Sequence, residues 1–394
     1  MISDDDDFST LPYGTEDESD FGSVSQSEIS HVSVTGTDWT TETVLTQLKK
    51  GNIELNPKFQ RRDAWESKRK SLFIESLILG LPVPPIVLAE HKHTRGKYIV
   101  LDGKQRLLCL RQFTAEANDK DYKSFRLSGL EIRPDLDRMT FEDIERDLHL
   151  RNELTAFENQ PIRTVVVRGW RSEALLFHVF VRLNRGSKPL SPQELRQALH
   201  PGPFLDFADE AATTSHAIRD ILKLKGPDFR MRDVELIVRF FSFQNRIQDY
   251  RGNLKNFLDE SCKEFNDLWA DTSQVFVSEL SSFEEAHALT KITFGKDFNY
   301  GKWVGARFEK RFNRSVFDVM IRAFMDTEFR ENIEFNGGLC VDAFKNLCST
   351  DSFFVESIER TTKSLESTRY RFSAFYQALN SAYQTDVPPP VVGF

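Results

Sequence analysis

At 394 residues the chain is long enough for two or three domains, each burying its own core. Hydrophobic residues make up 40% of it and include 34 Phe, yet no apolar run reaches the roughly 18 residues a membrane span requires, and MISDDDDFST lacks the features of a signal peptide. A membrane partner is therefore excluded and a cytoplasmic location expected. The net charge of −8 is uneven: residues 1–48 hold eleven acidic side chains and no Lys or Arg, so the remainder has 52 basic against 49 acidic groups. A surplus of three does not by itself demand nucleic acid, whereas a clustered patch would.

Residues 1–38, with DDDD, TEDESD and SVSQSEIS, have too few large apolar side chains to offset the entropy of ordering. They are read as a disordered acidic tail that solubilises the chain, in preference to a mimic of nucleic acid. A short helix is expected in TETVLTQLKKG, ended by Gly51, followed by the polar FQRRDAW. SKRKSLFIESLILG then has the spacing of an amphipathic helix stopped by Gly80. Prolines 82, 84 and 85 lead into a strand from Ile86 to Ala89, and KYIVL after the HKHTRG loop reads as a second strand.

Helical spacing resumes over 105–113, then a helix near 140–153, a strand over 161–169, a helix over 172–184 and one opened by SPQELRQAL. The pattern is α+β. Beyond Pro201 strand signals nearly vanish, and VELIVRFFSFQNRI, LKNFLDESCKEFNDLW, SVFDVMIRAFMD and RFSAFYQALNSAY predict a mainly helical domain. The expected divisions are a tail over 1–38, a mixed domain over 39–200, a helical domain over 201–386 and a frayed VPPPVVGF over 387–394.

The sharpest chemical feature is VLDGKQRLLCLRQF at 100–113, where a strand meets a helix. A helix N-terminus presents unpaired N–H groups and partial positive charge, and Gly103 lets an anion approach. Lys104 and Arg106 offer a point charge and a planar fork for phosphate oxygens, and Gln105 could bridge an oxygen or a base. Asp102 would either cap the helix or bind a metal ion accompanying the phosphates. A capped corner with solvated cations fits the same residues. Ser191-Pro192-Gln193-Glu194 has the form of a capping box, which competes with a catalytic role for Glu194, while Arg182, Asn184 and Arg196 have no capping role.

Other constellations favour ordinary structure. His91 and His93 lack a third ligand, Cys109 sits within an apolar helix, and the four cysteines form no C-x-x-C pair. No metal site is assigned to protein ligands.

Six ordered segments, NPKFQRRDAW, FIESLILGLPVPPIVLAE, YIVLDGKQRL, FRLSGL, VFVRLNRGSKPLSPQELR and RMRDVELIVRF, span roughly residues 45–245. Together they resemble the N-terminal domain family of GmrSD-type, modification-dependent restriction endonucleases, whose fold is similar to ParB and sulfiredoxin nucleotide-binding domains. The resemblance implies a ParB/sulfiredoxin-like domain that binds and hydrolyses a nucleoside triphosphate, with Mg²⁺, in prokaryotic defence against phage or other foreign DNA. By motif position it carries binding roles to Gln60, Arg61, Asp102, Gly103, Gln105, Arg106, Asn184 and Arg196, and catalytic roles to Asp102, Gln105, Arg106 and Glu194.

Two departures qualify it. The first Gln of D-G-Q-Q-R is Lys104 here, which favours anion binding but could alter metal use or turnover. After residue 200 only His216 and His287 remain, too few and too far apart for an HNH nuclease, and VDAFK (341–345) lacks a partner acid on a strand, so the active nuclease is expected to be absent or to lie in a separate defence subunit. The rival reading is a non-enzymatic DNA-binding or regulatory adaptor that keeps the pocket as structure.

Overall fold

The computed structural model describes residues 31–55, 65–172, 191–360 and 362–393, with 175, 176 and 179. The chain divides into two compact units between Leu199 and His200. The first is α+β and built on one mixed sheet of five strands, β1 (Ser33–Thr40), β2 (Ile53–Glu54), β3 (Ile86–Glu90), β4 (Tyr98–Asp102) and β5 (Pro161–Arg168). Their spatial order is β1-β5-β3-β4-β2; β1/β5 and β3/β4 are antiparallel, β5/β3 and β4/β2 parallel.

The two strands read from apolar runs, β3 and β4, are buried along nearly their whole length, as strands covered on both faces must be. Strand β1 corrects the expectation that 1–38 is disordered: residues 33–38 pair with β5 from Ser33↔Arg168 to Asp38↔Arg163. Their polar composition hid them, because β1 is an exposed edge strand stabilised by backbone pairing rather than burial. Two side-chain ties reinforce it, Arg168 donating to Thr35 Oγ1 at 2.6 Å and Arg163 pairing with Asp38 at 3.3 Å.

Helices α1 (Thr41–Lys49), α2 (Ser67–Ile78) and α3 (Lys104–Phe113) flank the sheet where the spacing places them. Thr40 caps α1 by accepting from Thr43 N at 3.1 Å. Helix α3 is held at its far end by Phe113, whose ring packs against Phe125, Phe141 and Phe157 at centroid distances of 5.5–5.8 Å. The single helix expected near 140–153 is instead α4 (Phe141–Arg146), a 3₁₀ turn (Leu148–Leu150) and α5 (Arg151–Asn159). The cause is Asp147, whose side chain accepts from His149 N at 2.9 Å and competes with the helical ladder. The unit closes with α6 (Pro192–Leu199), which packs on β4.

The second unit is helical throughout its named elements, among them α7 (Pro203–Thr214), α8 (His216–Leu222), α9 (Arg232–Arg246), α10 (Leu254–Asp267), α11 (Trp269–Phe294), α12 (Arg314–Met325), α13 (Thr327–Phe335), α14 (Gly337–Thr350), α15 (Ser352–Glu359) and α16 (Leu365–Tyr383). Many of the chain's phenylalanines meet here: Phe204, Phe241, Phe265 and Phe276 form one cluster with centroids 4.8–6.0 Å apart. Residues 387–393 are not frayed as expected. Val387 and Val392 are buried, and Arg369 donates to Val392 O and Gly393 O at 2.6 and 2.9 Å. Charged donors from a helix anchor the carbonyls that prolines 388–390 leave outside any ladder.

Candidate functional site

The Asp102–Arg106 segment forms the corner between β4 and α3. Asp102 ends the strand, paired with Val87, and Gly103 is the N-cap residue in the left-handed region at φ 93°, ψ 12°. That conformation disfavours any side chain, and a Cβ at Gly103 would lie 3.2 Å from both Arg106 Nη2 and Ile86 Cγ1. No side chain caps α3, so Asp102 is not the Asx cap that the sequence allowed. Its carboxylate instead accepts from Arg106 Nη2 at 2.9 Å.

Arg106 also donates to the carbonyl of Pro85, 2.9 Å away, which ties the corner to the extended LPVPP entry into β3. Its Nε is buried and has no hydrogen-bond partner among the described residues. Lys104, first residue of α3, lies 3.6 Å from Glu194 Oε1, with side chains 11% and 7% exposed. Glu194 is doubly engaged. Its Oε2 accepts from Ser191 N at 2.7 Å while its own N donates to Ser191 Oγ at 3.1 Å, the reciprocal box foreseen from spacing.

The structure thus brings Asp102, Gly103, Lys104, Arg106 and Glu194 together, with Gln105 on the first turn of α3. Arg196 lies on the same helix as Glu194, is 2% exposed, and donates to Gln193 Oε1 at 2.6 Å, a contact between helical neighbours three residues apart. Gln60, Arg61, Arg182 and Asn184 lie outside the described residues. Sequence reading missed two partners, Glu194 for Lys104 and the Pro85 carbonyl for Arg106. A basic side chain at 104 and an acidic one at 194 were the only hints, and ninety residues separate them.

Electrostatically the corner is balanced, two cations facing two carboxylates. What remains for an anion is the partial charge of the α3 N-terminus, its first-turn amides and the Arg106 Nε. Of the two carboxylates, Asp102 is the more open, its side chain 35% exposed against 7% for Glu194.

Elsewhere, His91 faces Glu54 at 3.4 Å, and among the described residues no group of three or more His, Cys, Asp or Glu could hold a metal. All four cysteines are buried and unbridged. Asp342 and Lys345 of VDAFK lie on α14 rather than on a strand, and His287 is engaged with Tyr300 and Asp220. No helix among the described residues is long and apolar enough to cross a membrane.

Comparison with known proteins agrees with the motif order. No curated protein and no solved structure matches the chain. Residues 42–201 match the model of the GmrSD restriction endonuclease N-terminal domain, a span that takes in the corner, the capping box and the whole sheet except its first strand. Over residues 42–201 the chain is thus similar to the GmrSD restriction endonuclease N-terminal domain family.

Proposed function

We propose that this chain is a nucleotide-binding component of a restriction-type defence system, and that its mixed sheet is of the ParB/sulfiredoxin-like kind. The observation that carries the reading is the uncapped α3 N-terminus behind a left-handed Gly103, with the Arg106 Nε turned to no acceptor among the described residues. In this reading the phosphates of a nucleoside triphosphate sit on the first-turn amides, Arg106 and Lys104 transfer from Asp102 and Glu194 to phosphate oxygens, and Asp102 turns to Mg²⁺. Gln105 would orient a water and the freed Glu194 carboxylate would accept its proton, which together would give hydrolysis. Gln60, Arg61, Asn184 and Arg196 complete the binding set by motif position, and a separate nuclease or defence subunit supplies DNA cleavage.

The test is equilibrium binding of each labelled nucleoside triphosphate, with and without Mg²⁺, to wild type and Arg106→Ala. Saturable wild-type binding that Arg106→Ala abolishes is expected; its absence with all four nucleotides would sink the reading. Phosphate release above background then distinguishes turnover from sensing. One observation favours the non-enzymatic adaptor instead: Lys104 is already paired with Glu194, Arg106 Nη2 with Asp102 and the Pro85 carbonyl, and Glu194 with the helix cap. Under that reading Arg106→Ala lowers stability and no nucleotide binds.

A further inference from the structure

The other end of β4 carries a different chemistry. The loop from His91 to Lys97 joins β3 to β4 and contains Lys92, Arg95, Lys97 and two His with no acidic residue. Beside it opens a cleft of about 530 Å³, walled by His31, Glu90, His91, Lys92, Trp170 and Arg171, where the parallel strands β3 and β5 both end. Trp170 Nε1 donates to Glu90 O at 2.7 Å and fixes the two strand ends together. The Lys92 ammonium stands 4.5 Å from the Trp170 ring centroid.

Glu90, the carboxylate in this wall, is occupied: Oε2 lies 3.3 Å from Arg168 Nε and Oε1 accepts from Gly96 N at 3.0 Å. Glu54 faces His91. Lys92, Arg95 and Arg171 are exposed, and neither Arg95 nor Arg171 has an ion pair among the described residues. Lys92, Arg95, Lys97, Arg168 and Arg171 against Glu54 and Glu90 leave a local surplus of three positive charges. This small surface therefore has as large a surplus as all of residues 49–394 together. Such clustering is what a polyanion selects.

We propose that the 91–97 loop and the adjoining Trp170–Arg171 cleft form a nucleic-acid backbone interface, separate from the nucleotide corner. The choice of nucleic acid among polyanions rests on the restriction-type reading; the place rests on the charge geometry. Arg95 and Arg171 supply forks for phosphate oxygens and Lys92 a point charge, while the buried Trp170 holds the wall beneath Lys92 in place.

The experiment is fluorescence anisotropy of a labelled 20-base-pair duplex and the matching single strand with the full chain, at salt from 50 to 200 mM. Wild type should bind saturably. The triple charge reversal Lys92→Glu/Arg95→Glu/Arg171→Glu should weaken binding more than tenfold and flatten the log–log salt slope by about 3, near 0.9 for each phosphate no longer neutralised. These residues are exposed, so the variant's thermal melt should match wild type. Salt-dependent binding of either form that the triple variant loses supports the interface. No binding by wild type at 50 mM salt, an unchanged affinity and slope in the triple variant, or equal competition by polyglutamate would overturn the proposal. Arg106→Ala should leave DNA binding intact and the triple variant should retain nucleotide binding, so each reading can fail alone.

Discussion

The corner at Asp102 and the ion cluster inside the helical unit use the same residue types under opposite constraints. In the helical unit Asp318 of α12 takes Arg239 of α9 in a two-pronged contact at 2.8 and 2.6 Å and reaches Arg371 of α16 at 3.6 Å, with all three side chains 1–2% exposed. Burial lowers the Arg239 guanidinium, but the carboxylate outweighs it and the net shift is upward. For the more distant Arg371 burial wins and pushes it down to about 10. At the corner the pairs are longer or more open, 3.6 Å for Lys104–Glu194 and a 35% exposed Asp102 for Arg106. A charge sealed among helices can only hold them in place, whereas a charge pair that solvent reaches can exchange one partner for a ligand.

The largest expected effect tests the sealed cluster. Asp318→Ala removes the carboxylate that two buried guanidinium groups share and should cost about 3–5 kcal/mol in urea unfolding. A loss below about 1 kcal/mol would show that water enters the cluster, and the contrast with the corner would disappear. Next is Gly103→Ala, which forces a side chain into the left-handed region against Ile86 and should cost about 1–2 kcal/mol while abolishing nucleotide binding. Unchanged nucleotide affinity would remove the corner from the binding site.

Glu194→Gln is gentler and sharpens the contrast. Gln can still serve the capping box, so stability should change by less than about 1 kcal/mol, while Lys104 is released to phosphate. Nucleotide affinity should rise by about two- to fivefold, the equivalent of about 0.5–1 kcal/mol, with phosphate release lost if Glu194 is the base. An unchanged affinity would mean that Lys104 takes no part in binding.

The smallest effect concerns Asp220 of α8, which joins the two kinds of pair, being half-exposed yet shared by His287, Lys291 and Lys223. Burial pushes its carboxyl up, but the Lys291 and Lys223 ammonium groups outweigh this and hold it down at about 2. A depressed folded value means that its stabilisation is fully present above the usual carboxyl value of 3.8 and is lost as pH falls toward 2. Burial also lowers the His287 imidazole, against the pull of Asp220, so protonation there opposes folding in the same direction. Asp220→Asn should flatten the acid limb of a stability–pH curve between about pH 4 and 2 and leave pH 7 to 8 parallel to wild type. An identical acid limb would place the acid sensitivity elsewhere.

The sequence alone determined whatever is local. The helical spacing of 67–78, 104–113 and 232–246, the Ser191–Glu194 box and the glycine turn before α3 all depend on contacts a few residues apart, so composition and period suffice to read them. The ordered motifs likewise pointed to the family whose model matches residues 42–201. Only the tertiary structure decided where the charges go. That Lys104 meets Glu194, Arg106 meets the Pro85 carbonyl, Asp318 serves two arginines and the polar 33–38 stretch becomes a strand depends on partners 21 to 135 positions away. A charged side chain has the same intrinsic preference on a free surface, in a sealed cluster or beside a ligand. Its role is set by the dielectric and the partner that folding brings to it.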